Sequence, residues 1–167
     1  MLKFLLRSLK DSEHFGRLLG QNSRRGDVIL LSGTLGAGKT TLTQFIAKGL
    51  EVPEESYVTS PSFSLMNQYF GRIPLYHIDC YRLAGEDDVE GAGLIDYMVA
   101  DGLTVVEWPD RLGSFTPPDR LDIEIRCGEN EERHVSLSAH GEGWQERLNV
   151  LQKTFYEPVG EFRLSQD

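Results

Sequence analysis

Gly33-Thr34-Leu35-Gly36-Ala37-Gly38-Lys39-Thr40 fills every position of the pattern G-x-x-x-x-G-K-S/T. The residue types answer one chemical need. Phosphate oxygens are gripped by successive backbone N–H groups, and a side chain at Gly36 or Gly38 would obstruct their approach. The loop feeds the first turn of a helix, where unpaired N–H groups and the helix dipole favour an anion. Lys39 adds a mobile positive charge for the terminal phosphates. The hydroxyl of Thr40 is suited to ligate Mg²⁺, and that of Thr41 to bond the α-phosphate. A nucleoside triphosphate with Mg²⁺ is the expected ligand.

A phosphate loop of this kind works with a carboxylate that ends an apolar strand and holds Mg²⁺ directly or through water. Asp79 follows Leu75-Tyr76-His77-Ile78, and Glu107 follows Leu103-Thr104-Val105-Val106. In open α/β sheets the ligand crevice lies at the carboxyl ends of the strands, so both acids are expected there. One division of labour has Glu107 completing the metal shell with Thr40 while Asp79 orients or deprotonates the attacking water. The swapped assignment stays open. His77 shares a strand face with Asp79 by alternation and is read as a structural histidine. Trp108 is read as core in preference to a stacking surface for nucleotide or partner. Arg82 is either an internal arginine finger or half of a surface ion pair.

These residues need a scaffold, and its elements are visible. Val28-Ile29-Leu30-Leu31 is the uninterrupted apolar run of a strand covered on both faces. After the loop, Leu42, Phe45, Ile46, Gly49 and Leu50 fall at i, i+3, i+4, i+7 and i+8. That is a packed helix, closed by Lys48 and Gly49 and barred from continuing by Pro53. Upstream, Leu9, Phe15, Leu18 and Leu19 recur at near-helical spacing between Ser8 and Gln21, with Ser8, Asp11 or Ser12 as N-cap and Gly20 as C-cap. Strands are expected over Phe63 to Tyr69 and Ile73 to Asp79, joined at Phe70-Gly71-Arg72, and over Leu103 to Glu107. Alternation in Leu121, Ile123 and Ile125, and again in Val135, Leu137 and Ala139, reads as a hairpin turning at Gly128-Glu129-Asn130. Trp144, Leu148, Leu151 and Phe155 mark a last amphipathic helix. The expected fold is α/β, a three-layer P-loop NTPase-like sandwich with a mixed sheet and a C-terminal β-hairpin. It forms one domain over 1–156, with a flexible tail over 157–167.

Composition sets the bounds. A chain of 167 residues suits one domain and buries enough surface to need no covalent staples. The 17 Lys and Arg against 26 Asp and Glu leave a net charge of −9. A free-standing nucleic-acid binder normally presents a basic face, which argues against that class but leaves room for RNA met through a partner. Cys80 and Cys127 offer neither a disulfide framework nor a zinc knuckle. The opening MLKFLLRSLK is interrupted by Lys3 and Arg7 and lacks the apolar stretch of a signal peptide. The longest uncharged stretch, Ser56 to Gly71, is too rich in Ser, Thr, Asn and Gln to span a bilayer. A cytoplasmic protein with no membrane partner is expected.

Four segments, TLGAGKTT (Thr34–Thr41), VTSPSFSL (Val58–Leu65), YHIDCYRL (Tyr76–Leu83) and VEWP (Val106–Pro109), stand in this order and at these separations. Together they closely resemble the TsaE family, also called YjeE, small bacterial P-loop ATPases. The resemblance runs from about Ser8 through the Leu121–Ala139 hairpin. It implies a part in forming threonylcarbamoyladenosine in tRNA, beside the anticodon of tRNAs that read codons starting with A. It also implies work with TsaB and TsaD, through which alone tRNA is met, and an ATP hydrolysis that resets that assembly between turnovers. Carried over, Lys39 and Thr40 bind phosphate and Mg²⁺, Glu107 ligates Mg²⁺ and Asp79 is the hydrolytic residue. Thr34, Leu35, Gly36, Ala37, Gly38 and Thr41 complete the nucleotide loop. Thr59 to Phe63 looks like a switch loop facing the γ-phosphate, and Ser12 takes the place of a first-helix hydroxyl that touches the nucleotide. Ser62 stands where the family more often has threonine, and Cys80 where it has leucine.

Rival readings have their own requirements. A regulatory GTPase needs N-K-x-D, and none of Asn22, Asn67, Asn130 or Asn149 precedes a lysine. A small-molecule or nucleoside kinase needs an acceptor pocket and an arginine-bearing lid, and no lid is evident. A nucleotide-gated assembly switch differs from a weak, partner-dependent ATPase chiefly in whether binding or turnover matters.

Overall fold

The strand Val28–Ser32 (β2) sits at the centre of the sheet and is buried along its first four residues. Ile29 and Leu31 enter one hydrophobic cluster and Val28 and Leu30 another, on opposite faces, which is why its sequence shows no polar alternation. The computed structural model describes residues 1–156; the expectation of a flexible tail over 157–167 lies outside the described residues. Around β2 lie β1 (Leu2–Leu6), β3 (Met66–Phe70), β4 (Pro74–Asp79), β5 (Leu103–Glu107), β6 (Arg120–Cys127) and β7 (Arg133–His140). They form one seven-stranded sheet in the order β1-β7-β6-β2-β5-β4-β3. The four inner strands β6, β2, β5 and β4 run parallel, while β3, β7 and β1 are antiparallel additions at the two sides. The mixed sheet and the hairpin β6–β7 are as the alternation predicts.

One face of the sheet carries α1 (Leu9–Asn22), α2 (Lys39–Gly49) and α4 (Gln145–Tyr156). The other face is thinner. It is covered by the short α3 (Glu86–Gly91) and by 3₁₀ turns at Leu94–Val99 and Pro109–Phe115, none of which the periodicity anticipated. Helix α1 starts where the sequence places it. The Ser8 hydroxyl accepts the Asp11 N–H at 3.2 Å, and the Asp11 carboxylate accepts the Arg7 N–H at 2.8 Å, a reciprocal cap. Gly20 is not the C-cap; that role falls to Ser23, whose N–H donates to the Gly20 carbonyl. Gly20 serves instead as a contact point between helices. A Cβ there would lie 2.2 Å from the Ile46 carbonyl oxygen, and one at Gly49 would lie 2.2 Å from that of Arg17. Small residues on both sides let α1 and α2 cross almost backbone to backbone.

One further expectation needs correction, and one strand was missed. The strand expected from Phe63 begins only at Met66, because residues 61–65 close a turn in which the Leu65 N–H donates to the Pro61 carbonyl at 2.6 Å. The first strand, β1, was not read from the sequence at all. Phe4 and Leu6 are its only buried residues, too few for a clear alternation, and pairing with β7 brings them into the core. At the far end, Arg147 of α4 donates to both Asp27 carboxylate oxygens, at 2.6 and 2.8 Å, and pins that helix beside the start of β2.

Candidate functional site

β2, β5 and β4 end along one edge, and each delivers a functional group there. From β2 the chain enters the glycine loop, where Gly36 and Gly38 have φ of 79° and 105°, conformations that side chains rarely adopt. Gly33 is needed for a steric reason as well, since a Cβ on it would lie 2.5 Å from the Ile125 carbonyl oxygen of β6. Gly38 is the N-cap of α2 and supplies no side-chain cap, so the first N–H groups of that helix face the loop. Arg133 of β7 buttresses the loop by donating its Nε–H to the Ala37 carbonyl at 2.9 Å.

Lys39 is buried. Its ammonium donates to the Gly33 carbonyl at 2.8 Å and the Thr34 carbonyl at 2.9 Å, and lies 4.0 Å from the centre of the Trp108 ring. Burial holds this ammonium below the usual lysine range, and the Glu107 and Asp79 carboxylates pull the other way. Both acids are buried, and they lie opposite one another in the β4–β5 register. The Thr40 hydroxyl donates to Glu107 Oε1 at 2.9 Å, and His77 Nε2 lies 2.8 Å from the same oxygen. Asp79 turns to a different set of donors. Its Oδ1 accepts the Tyr81 N–H at 2.9 Å, while Oδ2 accepts the hydroxyls of Ser60 at 2.5 Å and Ser62 at 2.9 Å. The segment from Thr59 to Phe63 is thereby tied to the end of β4.

Two cavities flank the loop. One, of about 360 Å³, is lined by Lys39, Thr40, Ser60, Ser62, Asp79 and Glu107, with Leu35, Tyr81 and Trp108 at its borders. The other, of about 250 Å³, lies on the side of α1 and β7, against Ser12, Thr41, Leu42, Ile125, Arg133 and Val135. The Ser12 hydroxyl donates to the Ser8 carbonyl at 3.2 Å, which leaves its oxygen able to accept from a ligand. Thr40 and the two carboxylates are hard oxygen donors of the kind Mg²⁺ takes, with water and phosphate filling its remaining positions. Among the described residues no group of three or more His, Cys, Asp or Glu forms a ready-made metal cage.

Arg82 matches neither reading of it, Trp108 is core only in part, and His77 lies buried on the strand face of Asp79 as alternation placed it. Trp108 is only partly buried and stands beneath the Lys39 ammonium, its ring 5.0 Å from that of Tyr81. Arg82 lies 4.0 Å over the ring of Phe63, outside the cavity lining. His77 touches the site directly through Glu107. Arg133 was missed outright; the one hint was a basic residue following the acidic run at Glu129, Glu131 and Glu132.

A strand running into a glycine loop and a helix N-terminus, with acids at the ends of two neighbouring parallel strands, defines the P-loop class of α/β proteins. Within that class the comparisons are specific. The family model described as threonylcarbamoyl adenosine biosynthesis protein TsaE matches residues 6–135. The tRNA threonylcarbamoyladenosine biosynthesis protein TsaE of Treponema pallidum is 34% identical over 137 residues, covering 82% of this chain and 100% of that protein. Its counterpart in Bacillus subtilis is 35% identical over 145 residues, 86% of this chain and 89% of that one. That of Streptomyces coelicolor is 40% identical over 77% of this chain and 90% of its own. The crystal structure of Bacillus subtilis YdiB superposes with a TM-score of 0.74 at 30% identity, covering 92% of this chain and 95% of that one. The chain belongs to the TsaE family of tRNA threonylcarbamoyladenosine biosynthesis proteins. Among the described residues no helix is long and apolar enough to cross a membrane.

Proposed function

We propose that this protein binds and hydrolyses MgATP for the tRNA threonylcarbamoyladenosine machinery, acting with TsaB and TsaD in the cytoplasm to support their turnover. The observation that carries this reading is the meeting of Lys39, Thr40, Glu107 and Asp79 around one cavity at the mouth of the phosphate loop. The loop amides and the α2 N-terminus bind the β- and γ-phosphates. Lys39 exchanges its two loop carbonyls for phosphate oxygens, which offer its charge a stronger partner. Thr40 and Glu107 hold Mg²⁺, which when bound neutralises the charge that develops on the phosphates. The Asp79 carboxylate orients the attacking water and accepts its proton once Ser60 and Ser62 move aside. The nucleoside end enters the second cavity, where Ser12 and Thr41 offer hydroxyls and Ile125, Leu42 and Val135 offer apolar contact.

The tie between Asp79 and the Ser60–Ser62 segment also favours a switch-like use of turnover, because the attacking water and the loop hydroxyls compete for the same acid. Phosphate release with and without the TsaB–TsaD pair tests the whole reading. Slow release by the chain alone, accelerated by the pair, is expected. Phosphorylation of an added metabolite in place of phosphate release would make the protein a kinase. Glu107→Ala is expected to lower Mg²⁺-dependent release by about 100-fold or more in the presence of the pair, while circular dichroism stays unchanged. Normal turnover by that variant would remove Glu107 from the metal site.

A further inference from the structure

His77 lies in the middle of β4, wholly buried, on the sheet face shared by Leu75, Asp79 and, across the ladder, Val105 and Glu107. Its Nε2 is 2.8 Å from Glu107 Oε1, whereas its Nδ1 is buried and meets no hydrogen-bond partner among the described residues. Glu107 Oε1 already accepts the Thr40 hydroxyl at 2.9 Å, and we assign Nε2 as a second donor to the same oxygen. An imidazole with one unpartnered buried nitrogen is a poor choice for packing alone, since a leucine would fill the space without an unsatisfied polar atom. What the ring contributes, and an apolar side chain cannot, is one N–H aimed at Glu107. The two donors thus converge on Oε1, while Oε2 makes only the longer 3.2 Å contact with Thr40.

We propose that His77 is a positioning residue that locks the Glu107 carboxylate through Oε1 and so sets the affinity of the site for a divalent cation. The inference rests on the metal-binding reading of Glu107 above. A glutamate at a strand end has several rotamers, and holding one beforehand removes the entropy of ordering it when the ion arrives. Outer groups that fix a ligand in this way are worth about 10- to 100-fold in metal affinity.

The test compares His77→Gln with His77→Asn in the full chain. Both are polar and uncharged, but only glutamine carries an N–H donor far enough out to reach the position of Nε2. The readouts are ADP affinity by calorimetry in EDTA, Mn²⁺ binding to the ADP complex by electron paramagnetic resonance, and the melting temperature. The expected result is ADP affinity in EDTA unchanged in both variants. Mn²⁺ affinity should fall about 10- to 100-fold in His77→Asn and return to within about threefold of the parent in His77→Gln. Equal Mn²⁺ affinity in the two variants, at the parent level or equally reduced, overturns the proposal. In the unsubstituted protein, long-range ¹H–¹⁵N spectra should show the His77 proton on Nε2 and a change at that nitrogen when Mg²⁺ joins the ADP complex. A ring with its proton on Nδ1 and none on Nε2 overturns it whatever the variants do. Loss of the underlying reading looks different, because the unsubstituted protein would then bind ADP without any gain from Mn²⁺ or Mg²⁺.

Discussion

Lys39 is held in place by neutral carbonyls, with two carboxylates nearby and an aromatic ring beneath it. Burial favours its uncharged form, so in the free protein it loses its proton below the ordinary lysine value of 10.5. Only the ammonium form attracts phosphate. Nucleotide affinity should therefore be flat through neutral pH, where the group is charged, and decline as alkaline pH passes the depressed value, by up to about tenfold per pH unit. Calorimetric titrations at a series of alkaline pH values check this; an affinity that holds to well past 10.5 would contradict it. The two thiols make a second contrast. Cys80 is buried, and that burial, with the Asp79 carboxylate next in weight, pushes it up to about 12, whereas Cys127 is exposed. A colorimetric thiol reagent at about pH 8 should titrate Cys127 alone in the native protein and both cysteines in denaturant. That Lys39, Thr40, Asp79 and Glu107 would meet at one candidate site was legible because loop spacing and strand ends are local features of a sequence. The partners of the acids were not. Whether His77 faces Glu107, or Ser60 faces Asp79, depends on how two strands and a loop meet in space, which no spacing along the chain encodes.

At the scale of elements, the α1–α2 crossing depends on missing side chains. A Cβ at Gly20 would press into the Ile46 carbonyl oxygen at 2.2 Å, a backbone atom that cannot rotate away. Gly20→Ala should therefore cost about 1–3 kcal/mol despite the better helix propensity of alanine. Urea unfolding monitored by circular dichroism reads this as a lower midpoint at unchanged slope, and a midpoint at or above the parent would show that the helices can move apart. Gly20 also shows why its helical end was misread. A glycine near a helix terminus signals a C-cap in most sequences, and only the neighbouring helix reveals that this one marks a contact. β2, β6 and β7 were legible because each carries either an unbroken apolar run or clean alternation, and β5 because only Thr104 interrupts its apolar run. β1 and the 3₁₀ turns were not, since their burial is decided by what lands on them. The late start of β3 has the same origin, with the Leu65 N–H taken up by the Pro61 carbonyl of a turn rather than by a strand ladder.

For the molecule as a whole, the four parallel strands bring their carboxyl ends to one edge, and the antiparallel β7 closes the second cavity with Arg133 and Val135. The three longer helices cover one face and give α2 a rigid seat, while the thinner opposite layer carries the turn that follows Glu107. With a net charge of −9, the chain has no general attraction for tRNA, so its work on tRNA is expected to run through partners while its own ligand is a nucleotide. That single cradle is the centre of the account. Calorimetric titration of MgATP into the parent protein and into Lys39→Ala tests it most directly. One bound nucleotide per parent chain is expected, with affinity reduced in the variant by roughly 10- to 100-fold or more, as loss of a charged phosphate contact dictates. The same affinity in both proteins would mean that nucleotide is held somewhere other than the loop from Gly33 to Thr40.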